Sequence, residues 1–231
     1  MSACNILPQP GRRCVHLITD GVATRTDGTV HAIGAKIWTV ASGRAALAFR
    51  GGVGPWVNWV PTHLEGAPSF DACVRWMADY APKCHRLALD LNPKRVGQHA
   101  CMEASLVGWS ESAAEAQAWF MTSHPSISGH EHLAPYEMER TTSPRGAPAV
   151  PDVLAAIGLP ATPSWDEVDA LDPELAAIGW VTAQRHTTDA ASGWPHHSVG
   201  GFVEIATVSS GGLTRRIVKR WPDAIGDKIH P

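Results

Sequence analysis

Two ionisable residues of opposite charge lie close together in the first quarter of the sequence. Residues 19–37 read TDGVATRTDGTVHAIGAKI, with Asp20 at the end of one apolar run and Lys36 sixteen residues later in a second. A buried ammonium beside a thiol or hydroxyl lowers the pKa of that group, and a carboxylate can hold the ammonium in place. The two residues are therefore candidates for a buried ion pair next to a nucleophile. The alternative is two unrelated charges at strand ends, since Asp20 precedes Gly21 as turn residues often do.

Histidines are the other residues that suggest chemistry. His130 and His132 flank Glu131, and His196 adjoins His197, so zinc binding has to be considered. Neither pair has the i, i+4 spacing of a helical zinc motif, and no third ligand can be named, so the sequence predicts no metal site. The sequence also contains no G-x-S-x-G turn for a Ser-His-Asp triad and no phosphate-binding glycine loop at a helix start. We therefore expect no cofactor.

The composition indicates a globular protein of one domain, residues 1–231. The chain is 44% hydrophobic and 18% charged, with a formal net charge of −3. One basic run alternates with apolar residues and indicates the exposed face of a strand, so we expect no nucleic-acid partner; it contains Arg215, Arg216, Lys219 and Arg220. No segment has the length of a membrane span, so no membrane partner is expected. Five cysteines without a CxxC pair favour free thiols and a cytoplasmic location.

Hydrophobic periodicity in the first half of the chain predicts strands, then a helix, then more strands. Strands are expected at residues 14–21, 30–40 and 45–52, after a short first strand at 4–7 that the segment PQPGRR interrupts. Residues 68–82 have apolar positions at helical spacing, and Pro82 is expected to end that helix. Three further β-like segments follow, at residues 85–91, 101–110 and 116–123.

The second half of the chain adds a loop, a helix and a hairpin. Residues 124–151 are rich in Pro, Ser, His and Gly and are expected to form a long surface loop. Asp172 is a candidate N-cap for a helix that runs to about His186 and presents three apolar residues to a core, Leu175, Ile178 and Val181. A Ser-Gly-Gly turn within residues 201–221 predicts a β-hairpin. This order predicts an α+β unit whose sheets are covered by helices.

The element order and the first segment together resemble the N-terminal-nucleophile hydrolases, and among them the proteasome β-subunit type. HLITD, residues 16–20, supplies the family's Asp at Asp20, and GAKI, residues 34–37, supplies its Lys at Lys36 with the family's spacing. FRGG, residues 49–52, falls where glycines line the substrate pocket in that family. The resemblance implies a four-layer αββα sandwich, in which two antiparallel sheets lie between layers of helices.

The resemblance also implies a nucleophile. Counting back the family's sixteen residues from Asp20 gives Cys4, which follows the tripeptide MSA. A free α-amine, whose reference pKa is near 8, can take the proton from the nucleophile of its own residue once the residues before it are removed. In this interpretation Lys36 lowers the pKa of the thiol, and Asp20 holds Lys36.

Two more elements of the implied site lie further along the chain. DAASG, residues 189–193, matches an Asp-x-x-Ser-Gly element of the family, in which Asp189 and Ser192 steady the nucleophile and its amine. Gly51 and Gly52 would line the substrate pocket, and their backbone N–H groups could hold an oxyanion.

Two functions from different classes are compatible with the sequence. Pro8 and Pro10 shorten the first strand, and nothing in MSAC demands cleavage, which favours an unprocessed structural or assembly component. A resemblance to small phage-region proteins of this fold suggests a phage particle or prophage system, and hence a virion-associated location. The alternative is a self-processed cysteine hydrolase of amide or peptide bonds that uses Cys4. Members of the fold form rings or stacks, so the resemblance implies a homo-oligomer or other subunits of an assembly as partners.

Overall fold

Two five-stranded antiparallel sheets form the centre of the molecule. The computed structural model describes residues 2–51, 56–94, 100–147, 153–188 and 195–231. The first sheet contains β1 (Cys4–Gln9), β2 (Cys14–Asp20), β10 (Arg145–Ala147), β11 (Phe202–Ser209) and β12 (Gly212–Arg220), in the order β10-β1-β2-β11-β12. The second contains β5 (Ile37–Val40), β6 (Ala45–Gly51), β7 (Met102–Ser110), β8 (Glu115–Thr122) and β9 (Met138–Thr141), in sequence order. A separate hairpin consists of β3 (Val22–Thr24) and β4 (Val30–Ile33).

Helices cover the outer face of each sheet. The second sheet shares a buried cluster with α1 (Trp56–Glu65) and α2 (Phe70–Asp90). The first sheet shares another with α4 (Val153–Ala156), α5 (Trp165–Ala170) and α6 (Pro173–Arg185), while the short α3 (Pro125–Ser128) follows β8. No helix in the described part of the chain combines the length and apolar character that a bilayer crossing requires.

A third buried cluster lies between the two sheets. It joins Ile6 and Leu17 of the first sheet to Ala48 and Val107 of the second. Apolar side chains on alternate positions of each strand face this layer, while the intervening positions face the helices. The resulting order of helix, sheet, sheet and helix confirms the predicted αββα sandwich.

Most of the predicted strands are confirmed to within one residue at each end. This applies to the segments predicted at 14–21, 45–52, 101–110 and 116–123, and to the hairpin at 201–221. Alternating or continuous apolar runs bounded by glycine, proline or polar turns were sufficient for the buried strands, and the exposed β12 was identified by the turn that joins it to β11.

The prediction that Pro82 ends a helix is wrong, as is the strand at residues 85–91. α2 continues to Asp90 with Pro82 in its interior. A buried stripe at spacings of three and four runs through the proline and includes Phe70, Cys73, Met77, Ala81, Cys84 and Ala88. Packing of this stripe on the second sheet offsets the hydrogen bond that proline cannot donate. The alternating leucines that suggested a strand include Leu87 and Leu91, which are exposed.

Three other expectations are corrected. The strand predicted at 30–40 is divided between β4 and β5, and Lys36 lies just before β5 rather than inside a strand. The loop predicted at 124–151 contains β9 and β10, each short because it is added at a sheet edge. Leu175 is exposed rather than part of the core, since α6 turns Ala176, Ala177 and Trp180 inward.

The first strand is longer than predicted and is held on both sides at its start. β1 pairs with β2 along its whole length, whereas β10 pairs with β1 only from Cys4 to Ile6. Pro8 is tolerated because it lies beyond the end of the β10 ladder. In the same strand, Asn5 Nδ2 donates to Gln184 Oε1 at 2.9 Å, and Gln184 Nε2 donates back at 2.7 Å. This buried amide pair attaches the start of β1 to α6.

Candidate functional site

Strand pairing brings the start of the chain beside Asp20. Cys4 lies opposite Thr19 in the β1–β2 ladder, so the residue before Cys4 lies opposite the residue after Thr19. Accordingly, the backbone N–H of Ala3 donates to Asp20 Oδ1 at 2.9 Å. This hydrogen bond fixes the main chain of residues 2 and 3 at the end of β2.

Asp20 and Lys36 form the predicted ion pair. Lys36 Nζ lies 2.6 Å from Asp20 Oδ1, and the two side chains are 13% and 0% exposed. Gly34 N donates to Gly21 O at 2.8 Å, which brings the segment carrying Lys36 back to the end of β2. Burial lowers the pKa of Lys36, and the charge of Asp20 opposes that effect. The contact is confirmed, whereas a catalytic role for either residue is still a prediction.

The Asp20 carboxylate accepts hydrogen bonds on both oxygens. Besides Ala3 N and Lys36 Nζ on Oδ1, the backbone N–H groups of Val22 and Gly200 each donate to Oδ2 at 3.1 Å. Three backbone donors, from Ala3, Val22 and Gly200, hold the carboxylate in one orientation. Asp20 is therefore a fixed anion on which Lys36 is oriented.

Ser2 is the residue whose side chain meets Lys36. Lys36 Nζ donates to Ser2 Oγ at 2.8 Å, and Arg50 Nε donates to the Ser2 carbonyl oxygen at 3.1 Å. Arg50 is in turn held by Glu103, with its guanidinium 2.8 Å from Glu103 Oε2. The hydroxyl of Ser2 and its main chain are thus fixed by two different cations. The sequence prediction missed Ser2 because it counted a family spacing back from Asp20.

The predicted nucleophile Cys4 lies deeper, between the sheets. Its side chain belongs to the cluster between the two sheets, and its sulfur lies 3.4 Å from Ser105 Oγ. Burial raises the pKa of the Cys4 thiol to about 11. The hydrogen bond with Ser105 lowers this pKa, but by less than burial raises it. A thiol of this kind is almost entirely protonated at neutral pH. The geometry therefore favours Ser2 over Cys4 as the group that Lys36 activates.

The other predicted site residues are only partly described. Gly52, Asp189 and Ser192 lie outside the described residues. Gly51 ends β6 directly after Arg50 and has a φ of +104°. A side chain at Gly51 would also overlap the carbonyl oxygen of Cys101, so both the backbone conformation and the available space require glycine.

Within the described residues, one group of three potential metal ligands lies close together. His130, His132 and Glu139 have ligand atoms within 4.8 Å of one another, so the third member is Glu139 and not the adjacent Glu131. His132 Nε2 lies 2.9 Å from Glu139 Oε1, and the guanidinium of Arg145 contacts both His130 and Glu139. An arginine cation therefore already contacts two of the three members of this group, and the third, His132, is paired with Glu139.

The comparisons with known proteins support the fold and extend no further. No family model matches the chain, and no curated protein matches it. Among solved structures, the chain is similar to the (Gly-1) mutant of Anbu from Hyphomicrobium sp. strain MC1, with a TM-score of 0.59 and 12% identity over 95% of this chain and 87% of the other. Anbu is a proteasome-related protein of the N-terminal-nucleophile hydrolase type. The chain therefore has a proteasome-like fold that is distantly similar to the fold of Anbu.

Proposed function

We propose that this protein hydrolyses amide bonds with Ser2 as an N-terminal nucleophile, after loss of Met1. The observation that carries the proposal is the row of contacts from Ser2 Oγ to Lys36 Nζ at 2.8 Å and from Lys36 Nζ to Asp20 Oδ1 at 2.6 Å. A hydroxyl, an ammonium and a carboxylate in this order meet the requirements of an activated nucleophile with an oriented cation.

The protein's own groups supply the steps of such a reaction. Removal of Met1 leaves a free α-amine on Ser2, and an α-amine with a pKa near 8 can accept the proton of the Ser2 hydroxyl. The Lys36 ammonium stabilises the negative charge that develops on Ser2 Oγ as it attacks the carbonyl carbon of an amide. The amine leaving group departs with a proton returned from the α-amine, and an ester on Ser2 remains. Water then attacks this ester, with the α-amine again as base, and releases the acid.

The tetrahedral intermediate of this reaction needs hydrogen-bond donors for its oxyanion. We assign that role to backbone N–H groups of Gly51 and Gly52. The support is that Gly51 follows Arg50, whose side chain contacts the Ser2 carbonyl oxygen, so β6 ends next to the proposed nucleophile. Asp189 and Ser192 keep their proposed role of steadying the nucleophile and its amine, which rests on the family resemblance.

Two other functions compete with this proposal. In the first, three residues are removed and Cys4 is the nucleophile; its burial and raised pKa weigh against it. In the second, the chain stays unprocessed and is a structural or assembly component, phage-encoded or otherwise. The contact favouring that role is the Asp20–Lys36 pair, which would be kept even without catalysis because loss of one partner leaves a buried charge uncompensated. Self-association, as a homo-oligomer or with other subunits, is proposed under either function.

Intact mass and an activity-based probe distinguish the three functions. The purified protein is weighed, treated with an alkyne-tagged β-lactone, and the labelled peptide is sequenced. We expect a mass that begins at Ser2 and an ester on Ser2 that is absent from Ser2→Ala and Lys36→Met but present in Ser2→Thr and Cys4→Ala. A mass that begins at Cys4 with a thioester on that residue would show the cysteine hydrolase instead. A mass that includes Met1, with no labelling of any variant, would exclude both hydrolase functions and support the structural role.

A further inference from the structure

The segment between α6 and β11 contacts the candidate site through Gly200. Its backbone N–H donates to Asp20 Oδ2 at 3.1 Å, and its carbonyl oxygen accepts from Gly21 N at 2.9 Å. Gly200 therefore binds both the side chain of Asp20 and the backbone of the next residue, Gly21. The position of Gly200 therefore determines where its N–H group meets the Asp20 carboxylate, which in turn orients Lys36.

A buried ion pair fixes the residues on either side of Gly200. Arg185, the last residue of α6, contacts both carboxylate oxygens of Asp223 at 2.7 Å, and the two side chains are 4% and 6% exposed. Arg185 also donates to the carbonyl oxygen of Val199 at 3.2 Å, and Asp223 accepts from Gly201 N at 2.7 Å. The pair thus binds the residue before Gly200 through its cation and the residue after it through its anion.

The close packing at Gly200 shows how little freedom residues 199–201 have. A Cβ atom at this position would overlap the guanidinium of Arg185 and lie 2.5 Å from Asp223 Oδ2. Gly201, with a φ of +73°, also has a backbone conformation that favours glycine. The pair is further enclosed by Trp221, whose ring lies 4.9 Å from the Arg185 guanidinium carbon, and by the carbonyl oxygen of His230, which accepts from Arg185 at 2.8 Å.

We propose that Arg185 and Asp223 are positioning residues for the Ser2 site, acting through residues 199–201 on Asp20 and so on Lys36. The inference rests on the proposed function only for its effect on catalysis, because the effect on Lys36 can be observed without turnover. Neither residue contacts Ser2 or Lys36. Loss of the pair releases residues 199–201, withdraws the Gly200 donor and lets Asp20 move away from Lys36.

The charge state of Lys36 reports this movement. Among the described residues, the charged or titratable groups that face Lys36 are Asp20 and the Cys4 thiol, and loss of Met1 adds the α-amine of Ser2. Burial lowers the pKa of Lys36 while the Asp20 charge opposes it, so a longer distance between Asp20 and Lys36 lowers that pKa further. The sequence contains five lysines, so the side-chain resonances of Lys36 can be assigned by comparison with Lys36→Met.

The experiment compares Asp223→Asn and Gly200→Ala with the wild-type protein by carbon-13 NMR titration of Lys36 and by the rate of β-lactone labelling at Ser2. Glu174→Gln is the matched control, since it removes an exposed ion pair between α6 and Arg216 that lies outside residues 199–201. We expect both test variants to lower the pKa of Lys36 and to slow labelling by about 10- to 100-fold, as small misplacements of catalytic groups do. The control should resemble the wild type in both measurements.

The two measurements separate the inference from the proposed function. A folded Asp223→Asn variant with wild-type titration of Lys36 and a wild-type labelling rate would overturn the positioning role. If the wild type is never labelled but Lys36 still titrates at lower pH in the test variants, the hydrolase proposal fails and the positioning role is supported. Should Asp223→Asn not fold, Arg185→Lys provides the same comparison, because lysine keeps the charge without the two-pronged contact.

Discussion

Replacing Asp20 by Ala is expected to destabilise the protein more than replacing Lys36 by Met, although both changes break the same ion pair. The reason lies in the contacts that each partner retains. Without Lys36, the Asp20 carboxylate still accepts three backbone hydrogen bonds. Without Asp20, those three buried N–H groups lose their acceptor, and Lys36 keeps its hydrogen bond to Ser2 Oγ as a poorly compensated charge.

The magnitudes follow from the burial of the pair. Removing one partner of a buried ion pair costs about 3–5 kcal/mol, and orphaned N–H groups place Asp20→Ala at the upper end of that range, about 4 kcal/mol or more. Lys36→Met keeps most of the apolar stem and leaves a carboxylate that is already hydrogen-bonded, so we expect about 2 kcal/mol. The double variant should be less destabilised than Asp20→Ala alone, because it contains no stranded lysine.

Urea denaturation at pH 7, followed by tryptophan fluorescence and circular dichroism, measures the three free energies of unfolding. The double-mutant cycle then gives the coupling energy between Asp20 and Lys36. The reasoning is refuted if Lys36→Met costs as much as Asp20→Ala, or if the double variant loses the sum of the two single losses.

The same variants should differ in their response to alkaline pH. Because the folded state lowers the pKa of Lys36 below its unfolded value of about 10.4, the unfolded state binds more protons in the intervening window, and stability rises with pH there. Asp20→Ala removes the charge that opposes the lowering of the Lys36 pKa, so in this variant stability rises with pH over a wider range. The deficit of Asp20→Ala relative to the wild type should therefore shrink between pH 7 and 10, and a constant deficit would contradict the assignment.

Three further predictions concern other residues. Cys4, whose pKa burial raises from 9.0 to about 11, should react with iodoacetamide at pH 8 about 100-fold more slowly in the folded protein than in urea, and peptide mass spectrometry that finds equal rates would contradict its burial. His16 is held neutral between Gln9 Oε1 and Thr207 Oγ1, and burial lowers its pKa from 6.5 to about 4. Unfolding free energy should therefore fall by up to about 3 kcal/mol as the pH drops through that window, and His16→Gln should remove this part of the acid sensitivity in denaturant titrations. Gly108→Ala would press a Cβ atom into the buried ring of Phe70 and should cost about 1–3 kcal/mol by urea denaturation; an unchanged midpoint would show that the ring can move aside.

The contact between Asp20 and Lys36 could be predicted from the sequence, whereas the contact between Lys36 and Ser2 could not. The two charges are separated by one hairpin, and the resemblance supplied their spacing. Which side chain of the first residues lies beside Lys36 depends on the register of β1 against β2, which is fixed by the turn that leaves Gln9 opposite Cys14. Counting residues across that turn without knowing its length selected Cys4, two positions from the side chain that meets Lys36.

Long-range and tertiary effects account for the remaining errors in the fold. Pro82 and the alternating leucines after it have local preferences against a helix, yet packing of the buried stripe of α2 on the second sheet prevails. β9 and β10 are too short to give a periodic pattern, because each only completes the edge of a sheet. No sequence pattern indicates that position 200 requires glycine. The requirement comes from the side chains of Arg185 and Asp223, which lie against Gly200 but belong to other parts of the chain.

The hydrogen bonds of Asp20 join parts of the chain that are synthesised far apart. Ala3 and Val22 are close to Asp20 in the sequence, while Gly200 lies 180 positions beyond it. Contacts of this separation form late in folding because they require closure of a long loop. A growing or truncated polypeptide that lacks residues 195–231 therefore cannot complete the carboxylate's environment. We therefore expect Ser2, the proposed nucleophile, to lack its completed site until residues 195–231 have been made and have folded.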